Sequence, residues 1–214
     1  MPASVLLDAD AVAAQVRRLA GEIERDHPEG VLLIGVLKGA LLFVADLARA
    51  ITAVPVEVDF MSISRFAPDS GRVKILHDLG TDIGGRDVVV VEDIVDTGLT
   101  LAYLTGQLRE RRPRALSSCT LFDRPARRIV PHDLRYRGVV LDDEFVLGYG
   151  LHARDLYRNL AFVAKGDREL VATRPDTYVA QLYGRAGGTP TGADPPEERN
   201  RTGASVNGER TEEP

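Results

Sequence analysis

Residues 88–100 read VVVVEDIVDTGLT and decide the fold. Four consecutive valines are typical of a strand that is buried on both faces of a parallel sheet. Two adjacent acids, Glu92 and Asp93, lie at the carboxyl end of that strand, and apolar residues recur at helical spacing from Leu101 onward. The stretch therefore predicts a buried strand, a short Asp-Thr-Gly-x-Thr loop and a helix.

The same alternation of apolar runs and helical patterns extends from Val5 to about Tyr183. It is typical of an α/β fold around a mostly parallel sheet. A first helix is expected after Asp8 and Asp10, either of which is a suitable N-cap, and further helices are expected after the first and third strands. The predicted strands are Val31–Val36, Val56–Ile63, 88–91, 116–122, 138–141, Phe145–Leu147 and 161–164.

The last part of the chain, residues 184–214, consists largely of Gly, Pro, Thr, Glu and Arg with almost no large apolar side chain. Such a segment cannot bury enough apolar surface to offset the entropy lost on ordering. We therefore predict one compact domain over residues 1–183, followed by a disordered tail over residues 184–214.

Charge, apolar run length and cysteine content argue against nucleic-acid-binding, membrane and exported proteins. A formal charge of -5 and a pI near 5.4 disfavour a nucleic-acid partner, since an extended footprint needs a basic face. No apolar run reaches the roughly 18 residues of a membrane helix, and the N-terminal segment lacks the pattern of a signal peptide. The one cysteine, Cys119, has no internal disulfide partner, so a reducing, cytoplasmic location is expected.

The loop at 96–100 has the features of a phosphate-binding site. It follows the carboxyl end of a strand, where open α/β sheets bind ligands, and it opens a helix whose N-terminal amides and dipole favour an anion. The hydroxyls of Thr97 and Thr100 add two further donors. The loop has neither the GxxxxGK[ST] pattern of nucleotide hydrolases nor the GxGxxG pattern of dinucleotide-binding folds, which disfavours both functions.

The whole stretch resembles the phosphoribosyl-pyrophosphate-binding segment of type I phosphoribosyltransferases, in the form used by the hypoxanthine-guanine members. Three other segments are similar to that family in the same order: VLLIGVLKGALLFVADL to its pyrophosphate loop, VEVDFMSIS with VKILHDL to its flap, and DDEFVLGYGLHARDLYRNL to its purine-binding hood. Together the four segments cover roughly residues 5–165. Four matches in order are far more specific than any single motif.

The resemblance implies a fold, a reaction and partners. The fold is a mostly parallel central sheet flanked by helices, with a flexible flap and a small hood formed by the N-terminal segment and about 122–165. The reaction transfers the 5-phosphoribosyl group from phosphoribosyl pyrophosphate to N9 of hypoxanthine or guanine, with Mg²⁺ as cofactor, in purine salvage. A homodimer or homotetramer is also implied.

The resemblance also implies residue roles at the phosphate loop. Glu92 and Asp93 would bind the ribose hydroxyls and help to hold Mg²⁺, which prefers oxygen ligands. Asp96 would be the catalytic general base at purine N7, although an aspartate there is also a good N-cap for the following helix. The remaining substrate-binding positions implied in this stretch are Ile94, Val95, Thr97, Gly98, Leu99 and Thr100.

Other implied contacts come from the pyrophosphate loop and the hood. Lys38 and Gly39 would bind pyrophosphate, and Arg158 would add a planar, permanently charged donor to the same group. Phe145 would stack on the purine, and the backbone of Val146 would contact the edge of the base. Stacking suits any flat base, so Phe145 alone predicts no selectivity.

Four positions depart from the family pattern. Arg124 replaces a lysine that contacts the purine 6-oxo group; arginine can donate the same bond with a different geometry. His152 replaces an aspartate, and a histidine is a poor ligand for Mg²⁺, which counts against a metal contact there. In the flap, Arg65 and Phe66 replace a Ser-Tyr pair; the phenylalanine lacks the hydroxyl, whereas the arginine can reach a phosphate.

Two alternatives stay open from the sequence. An enzyme that prefers xanthine is one, because Arg124 and His152 both fall in the implied base pocket. The other is a nucleotide-sensing, RNA-binding regulator of the same fold, which the acidic balance disfavours. The cations that favour the regulator weakly are Arg111, Arg112, Arg114, Arg127 and Arg128.

Overall fold

A computed structural model describes residues 2–64 and 74–186 of the chain, with side chains up to Gly184. The flap positions Arg65 and Phe66 and the turn expected at 67–72 lie outside the described residues, as does the predicted tail from 187 onward. The helices are α1 (Ala9–Asp26), α2 (Leu41–Ala50), α3 (Leu99–Glu110), α4 (Arg168–Thr173) and α5 (Val179–Ala186). The strands are β1 (Ser4–Leu7), β2 (Val31–Val36), β3 (Val56–Ile63), β4 (Ile75–His77), β5 (Asp87–Val95), β6 (Ala115–Asp123), β7 (Tyr136–Val140), β8 (Phe145–Leu147) and β9 (Val163–Gly166).

A six-stranded sheet in the order β4-β3-β2-β5-β6-β7 forms the centre of the molecule. The pairs between β3 and β7 are all parallel, and only β4 runs antiparallel at the edge. This arrangement confirms the predicted mostly parallel sheet. Because β2, β5 and β6 are interior and parallel, their carboxyl ends meet at one edge of the sheet.

Helices cover both faces of this sheet, which explains the continuous valine run. Val89 and Val91 belong to the core shared with α1 and α2, whereas Val88 and Val90 pack with the leucines of α3. All four valines are fully buried. A strand whose alternate residues point into two separate cores has no polar face, so its sequence does not alternate.

A second, three-stranded antiparallel sheet in the order β1-β9-β8 forms the hood. It has its own core, built around Leu147, Tyr157 and Leu160 and closed by residues of α4 and α5. The first residues of the chain are fixed to α5, because Ala3 N donates to Gln181 Oε1 at 2.9 Å and Gln181 Nε2 donates back to Ala3 O at 2.7 Å. The N-terminal strand β1 thus lies in the same three-stranded sheet as β8 and β9.

The structure shifts some predicted boundaries and adds elements. The strand expected at 161–164 is Val163–Gly166, and the one expected at 138–141 begins earlier, at Tyr136, which is buried opposite Cys119. Helices α4 and α5 have no counterpart in the sequence prediction. Asp167 caps α4 by accepting bonds from the amides of Glu169 and Leu170 at 2.9 and 3.1 Å. Helix α5 continues to Ala186, three residues into the segment predicted to be a tail.

Cys119 lies in the middle of β6 and is completely buried, as its apolar surroundings in the sequence predict. Burial raises the pKa of its thiol far above the ordinary range. In the part of the chain that the structure describes, no helix combines the length and the apolar character needed to cross a bilayer.

The first helix allows a test of capping. Asp8 has extended backbone angles and accepts a bond from Ala11 N at 2.8 Å, whereas Asp10 lies inside the first turn of α1. We expect Asp8→Ala to lower the free energy of unfolding by about 1 kcal/mol, because one helix-end amide loses its acceptor. The matched variant Asp10→Ala should cost less, about 0.3 kcal/mol, since it removes only a charge near the helix dipole. Urea denaturation measures both; equal losses would contradict the assignment of Asp8 as the cap.

Candidate active site

A cleft of about 610 Å³ lies between the carboxyl ends of the central strands and the hood. The segments that contribute to it follow β2, β3, β5, β6 and β8, and α4 adds its first residue. This position is the one where open α/β sheets bind ligands. Its lining residues are Val36, Leu37, Lys38, Gly39, Ile63, Ser64, Glu92, Asp93, Ile94, Asp96, Thr100, Arg124, Phe145, Val146, Leu151, His152, Asp155, Arg158 and Arg168.

Most of the residues implied by the resemblance therefore meet in one cavity. The exceptions are Val95, Thr97, Gly98 and Leu99, which do not line it. Val95 is buried in the core on the α3 side of the sheet. The other three form the turn that leads into α3, so their implied contacts with substrate stay predictions.

The loop after β2 is in direct contact with the acidic pair on β5. The peptide bond between Leu37 and Lys38 is cis. At Gly39, a Cβ would lie 1.9 Å from Asp93 Oδ2. A side chain there would force the Asp93 carboxylate to move, so glycine permits the close approach of this loop to the carboxylate.

Glu92 and Asp93 bring two carboxylates to the same side of the cleft. Burial raises the pKa of Glu92 well above its ordinary value, and the neighbouring charges of Asp93 and Asp96 raise it further. Burial likewise raises the pKa of Asp93, although the Ile94 amide, 2.9 Å from Oδ1, acts in the opposite direction. Among the described residues neither carboxylate is in an ion pair, and the charges of Arg128 near Glu92 and of Arg158 near Asp93 offset the rise in the two pKa values only in part.

This pair fits a Mg²⁺ ion that is held partly by a ligand. Mg²⁺ is commonly bound by one or two carboxylates together with substrate phosphates and water, rather than by a full set of protein ligands. Among the described residues, no group of three or more His, Cys, Asp and Glu side chains is arranged to hold a metal ion. The two raised pKa values indicate that a cation here would relieve a real electrostatic cost.

Asp96 is in a bidentate contact with Arg124. One guanidinium nitrogen, Nη1, lies 2.8 and 3.0 Å from the two carboxylate oxygens of Asp96, and Nη2 donates to the Glu144 carbonyl at 2.6 Å. The Arg124 side chain is 3% exposed and that of Asp96 is 38% exposed. Burial lowers the pKa of Arg124, and the charge of Asp96 opposes this effect. The sequence predicted both residues in the site but not their contact with each other.

A second arginine, Arg128, holds the phosphate loop in place through its contacts with Asp96 and Asp123. Arg128 Nε donates to the Asp96 carbonyl at 3.0 Å, and its Nη2 pairs with the buried carboxylate of Asp123. The Thr97 carbonyl accepts the amides of Ile129 and Val130 at 2.9 and 3.0 Å. The turn is thus fixed by the segment that follows β6.

The turn itself depends on a glycine. Gly98 has φ +81°, and a Cβ there would lie 2.5 Å from the carbonyl oxygen of Val130. Gly98 is also the N-cap residue of α3, where the first-turn amides have no partner within the helix. The start of α3, where Leu99 N donates to Thr97 Oγ1 at 3.4 Å, therefore has the polarity that favours a phosphate beside Thr100.

The hood supplies an aromatic ring and an additional cation. Phe145 is partly exposed to the cleft, and the guanidinium carbon of Arg168 lies 5.2 Å from the centre of its ring. Strand β8, which contains Phe145 and Val146, is at the edge of the hood sheet, so one side of its backbone has no strand partner. A flat ligand can contact both the ring and this open edge.

The opposite end of the cleft carries two cations. Lys38 Nζ lies 3.7 Å from Asp155 Oδ2, and Arg158 donates through Nε and Nη2 to Asp155 Oδ1 at 3.1 and 3.0 Å. His152 also lines the cleft, and its Nδ1 accepts the amide of Asp155 at 3.0 Å. In this arrangement the histidine fixes the backbone of its own loop.

The site now permits comparison with known proteins. A family model described as the phosphoribosyl transferase domain matches residues 2–154, well over half of the chain. The chain belongs to the phosphoribosyltransferase family. The resemblance found in the sequence, to the type I and hypoxanthine-guanine members, is confirmed by relatives with those names.

This phosphoribosyltransferase has curated relatives that cover most of its length. It is 44% identical over 174 residues to the hypoxanthine-guanine phosphoribosyltransferase of Mycobacterium bovis, covering 77% of this chain and 86% of the relative. It is 40% identical to the hypoxanthine phosphoribosyltransferase of Salmonella typhimurium, covering 75% of this chain and 93% of the relative.

Solved structures of such enzymes have the same fold as this phosphoribosyltransferase. A hypoxanthine-guanine phosphoribosyltransferase from Bacillus anthracis superposes with a TM-score of 0.74 at 41% identity, covering 77% of this chain and 98% of the other. A Trypanosoma cruzi hypoxanthine phosphoribosyltransferase variant, complexed with the product IMP, gives a TM-score of 0.75 at 35% identity, covering 79% and 94%. The predicted fold class is confirmed.

Sequence reasoning did not identify three side chains in the site of this phosphoribosyltransferase: Asp155, Arg168 and the supporting Arg128. For Arg128 there was no signal, because its contacts with Asp96 and Asp123 depend on how the segment after β6 folds back. For Arg168 there was no signal, since the helix that carries it was not predicted.

The raised pKa values of Glu92 and Asp93 predict that removing one of the two charges increases the free energy of unfolding. Because the native pKa of Glu92 is raised, the folded state binds a proton more tightly than the unfolded state, whose value is near 4.5. Wild-type stability should therefore fall as the pH rises from about 4.5 through the raised native pKa. We expect Glu92→Gln to increase the free energy of unfolding of the ligand-free phosphoribosyltransferase on the order of 1 kcal/mol above this window and to have little effect below it.

Thermal and urea denaturation across a pH series measure the difference. The matched control is Glu110→Gln at the exposed end of α3, for which we expect a small, pH-independent change. A Glu92→Gln protein that is less stable than wild type at every pH would show that the carboxylate is compensated.

Proposed function

We propose that the protein transfers the 5-phosphoribosyl group of phosphoribosyl pyrophosphate to N9 of hypoxanthine or guanine, releasing pyrophosphate, as a cytoplasmic purine-salvage enzyme. One observation carries the proposal: three segments far apart in sequence bring an acidic pair, Asp96 and Thr100 of the phosphate loop, and two cations to one cleft. These are the groups that a ribose, a 5′-phosphate and a pyrophosphate need. The curated relatives have names that specify the same reaction.

In this proposal, Glu92 and Asp93 accept hydrogen bonds from the ribose 2′- and 3′-hydroxyls and hold Mg²⁺. The bound ion would neutralise charge on the pyrophosphate group. Carboxylates whose pKa values are raised by burial gain from any donor or cation that replaces lost water. The same raised pKa values predict that substrate affinity weakens as the pH falls, because protonated carboxyls are poor acceptors and poor ligands.

Asp96 and Arg124 would act together on the base. The N9 lone pair forms the bond to C1′ as the bond from C1′ to pyrophosphate oxygen breaks, and the proton on N7 passes to an Asp96 oxygen. A carboxylate oxygen has lone pairs left after accepting from one arginine nitrogen, so Asp96 can receive N7–H while Arg124 remains bound. Arg124 Nε is buried and has no hydrogen-bond partner among the described residues. A shift of the guanidinium toward the 6-oxo group of the base would satisfy more of its donors.

The leaving group would be bound at the other end of the cleft. Lys38 and Arg158 supply two positive charges, and Gly39 lines the same cleft, where its amide would contact a pyrophosphate oxygen. Such fixed donors stabilise the charge that develops as the bond breaks. The purine would lie between Phe145 and the acidic loop, contacting the open edge of β8.

The RNA-binding alternative is not favoured, because four of its five candidate cations are already neutralised. Arg111 pairs with Asp78 at 2.7 Å, and Arg114 pairs with Asp87 at 2.7 Å and Glu29 at 2.5 Å. Two more pairs are Arg127 with Asp143 and Arg128 with Asp123. Preference for xanthine stays a second candidate, supported by Arg124 and His152, which both line the cleft.

The central test is initial-rate nucleotide formation from phosphoribosyl pyrophosphate and Mg²⁺ with hypoxanthine, guanine, xanthine, adenine and uracil in parallel. We expect turnover of hypoxanthine or guanine. Asp96→Asn, which keeps the shape of the side chain beside Arg124, should lower kcat by about 10²- to 10⁴-fold, the usual contribution of a general base. A melting curve of the variant separates lost catalysis from lost folding.

Other outcomes lead to other conclusions. Turnover highest with xanthine would move the assignment to that base. Absence of turnover with every base, from a folded protein, would reject the enzyme. The resemblance also predicts a homodimer or homotetramer, which size-exclusion chromatography with light scattering measures directly.

Arg124 provides a separate test of base recognition. We expect Arg124→Met to reduce kcat/KM for hypoxanthine by about 10- to 100-fold, because a charged hydrogen bond to the 6-oxo group is worth roughly 1.5–3 kcal/mol. Arg124→Lys keeps the charge and one donor, so it should retain most of the activity. The base panel, repeated with both variants, measures this. Equal losses in the two variants would assign Arg124 to holding Asp96 rather than to reading the base.

A further inference from the structure

The carboxylate of Asp155 occupies the anion-binding end of the cleft. Its two oxygens point to different cations: Oδ2 lies 3.7 Å from Lys38 Nζ, and Oδ1 accepts from two nitrogens of Arg158 at 3.0 and 3.1 Å. These two cations are the ones that the proposed function assigns to pyrophosphate. A carboxylate of the protein itself is thus located where the oxygens of pyrophosphate are expected.

The contact uses every nitrogen of the Arg158 guanidinium. Nε and Nη2 are bound to Asp155, and Nη1 donates to the Gly150 carbonyl at 2.5 Å. A phosphate oxygen that approaches the Nε–Nη2 edge must take the place of the carboxylate oxygen, because that edge accommodates one bidentate acceptor.

The backbone positions this carboxylate. Asp155 has φ +66° and Arg154 has φ +45°, a left-handed conformation that non-glycine residues adopt rarely. The Asp155 amide donates to His152 Nδ1 at 3.0 Å, which closes the turn. Unusual backbone angles persist where surrounding contacts enforce them, and they concentrate at ligand-binding sites.

The contact is also weak enough to be displaced. The side chains of Asp155 and Lys38 are 62% and 72% exposed, and exposed ion pairs contribute little net stability. The carboxyl group remains ionised at neutral pH, since its bond to Arg158, followed by the charge of Lys38, lowers its pKa. A charged, exposed carboxylate can compete with phosphate for Lys38 and Arg158 and still be displaced by it.

We propose that Asp155 is a built-in competitor for the pyrophosphate subsite, occupying Lys38 and Arg158 when no substrate is bound and returning to them as pyrophosphate departs. The inference rests on the proposed function. It assigns Asp155 a positioning role: the residue makes no contact with reacting atoms, raises the KM for phosphoribosyl pyrophosphate and hastens the release of the product.

The test uses Asp155→Asn, which keeps the size of the side chain but removes its charge. Calorimetric titration with magnesium pyrophosphate should show binding about three- to tenfold tighter than in wild type, the effect of losing one exposed ion-pair partner at each of two cations. The KM for phosphoribosyl pyrophosphate and the inhibition constant for pyrophosphate should fall by similar factors, while the KM for hypoxanthine stays unchanged.

Two controls accompany it. Asp155→Glu retains the charge and should bind pyrophosphate within about twofold of wild type, because the acceptor remains available. Glu29→Gln also removes one exposed carboxylate paired with an arginine, Arg114, but lies outside the cleft and should change neither binding nor KM.

Weaker pyrophosphate binding by Asp155→Asn would overturn the inference, since it would mean that the carboxylate holds Arg158 in its active position. Unchanged binding would overturn it as well, and if wild type still transfers phosphoribosyl groups the proposed function stands. If wild type binds no pyrophosphate and turns over no base, the proposed function fails and this inference fails with it.

Discussion

Two carboxylates side by side at the end of a buried strand, without a cation against them, determine how the rest of the cleft is arranged. Burial of Glu92 and Asp93 raises both pKa values, which reduces the stability of the ligand-free fold at neutral pH. The sheet can hold them there because β5 is central, with both faces and both edges covered. The two buried carboxylates lower the free energy of unfolding, and a ligand that binds them raises it again.

The nearby arginines are each paired with a different acid. Arg124 is bound to Asp96, Arg128 to Asp123 and Arg158 to Asp155. If any of these guanidinium groups turned toward Glu92, it would compensate the acidic pair and remove its affinity for a metal or for ribose hydroxyls. Because Asp96, Asp123 and Asp155 hold these arginines in ion pairs, the charges of Arg128 and Arg158 lower the pKa values of Glu92 and Asp93 only in part.

Sequence reasoning succeeded where burial imposes a pattern. The runs in β2 and β5 were predicted because both faces of each strand are covered. Helices α4 and α5 were missed because they are six and eight residues long and have few apolar positions. Residues from separate segments were placed in one site through family resemblance, but the contact of Arg124 with Asp96 was not foreseen, because it depends on the register of β5 against β6. Pairing between strands is a tertiary property that single segments do not encode.

Burial of Cys119 also has a practical consequence. Its thiol is the only one in the chain, and it is inaccessible and held in its unreactive, protonated form. The native protein therefore already behaves as a cysteine-free background for maleimide chemistry. One new cysteine on the hood and another on an exposed turn of α2 would accept a donor and an acceptor dye without further engineering. Single-molecule energy transfer between them would then show whether the distance between the hood and the central sheet changes during turnover.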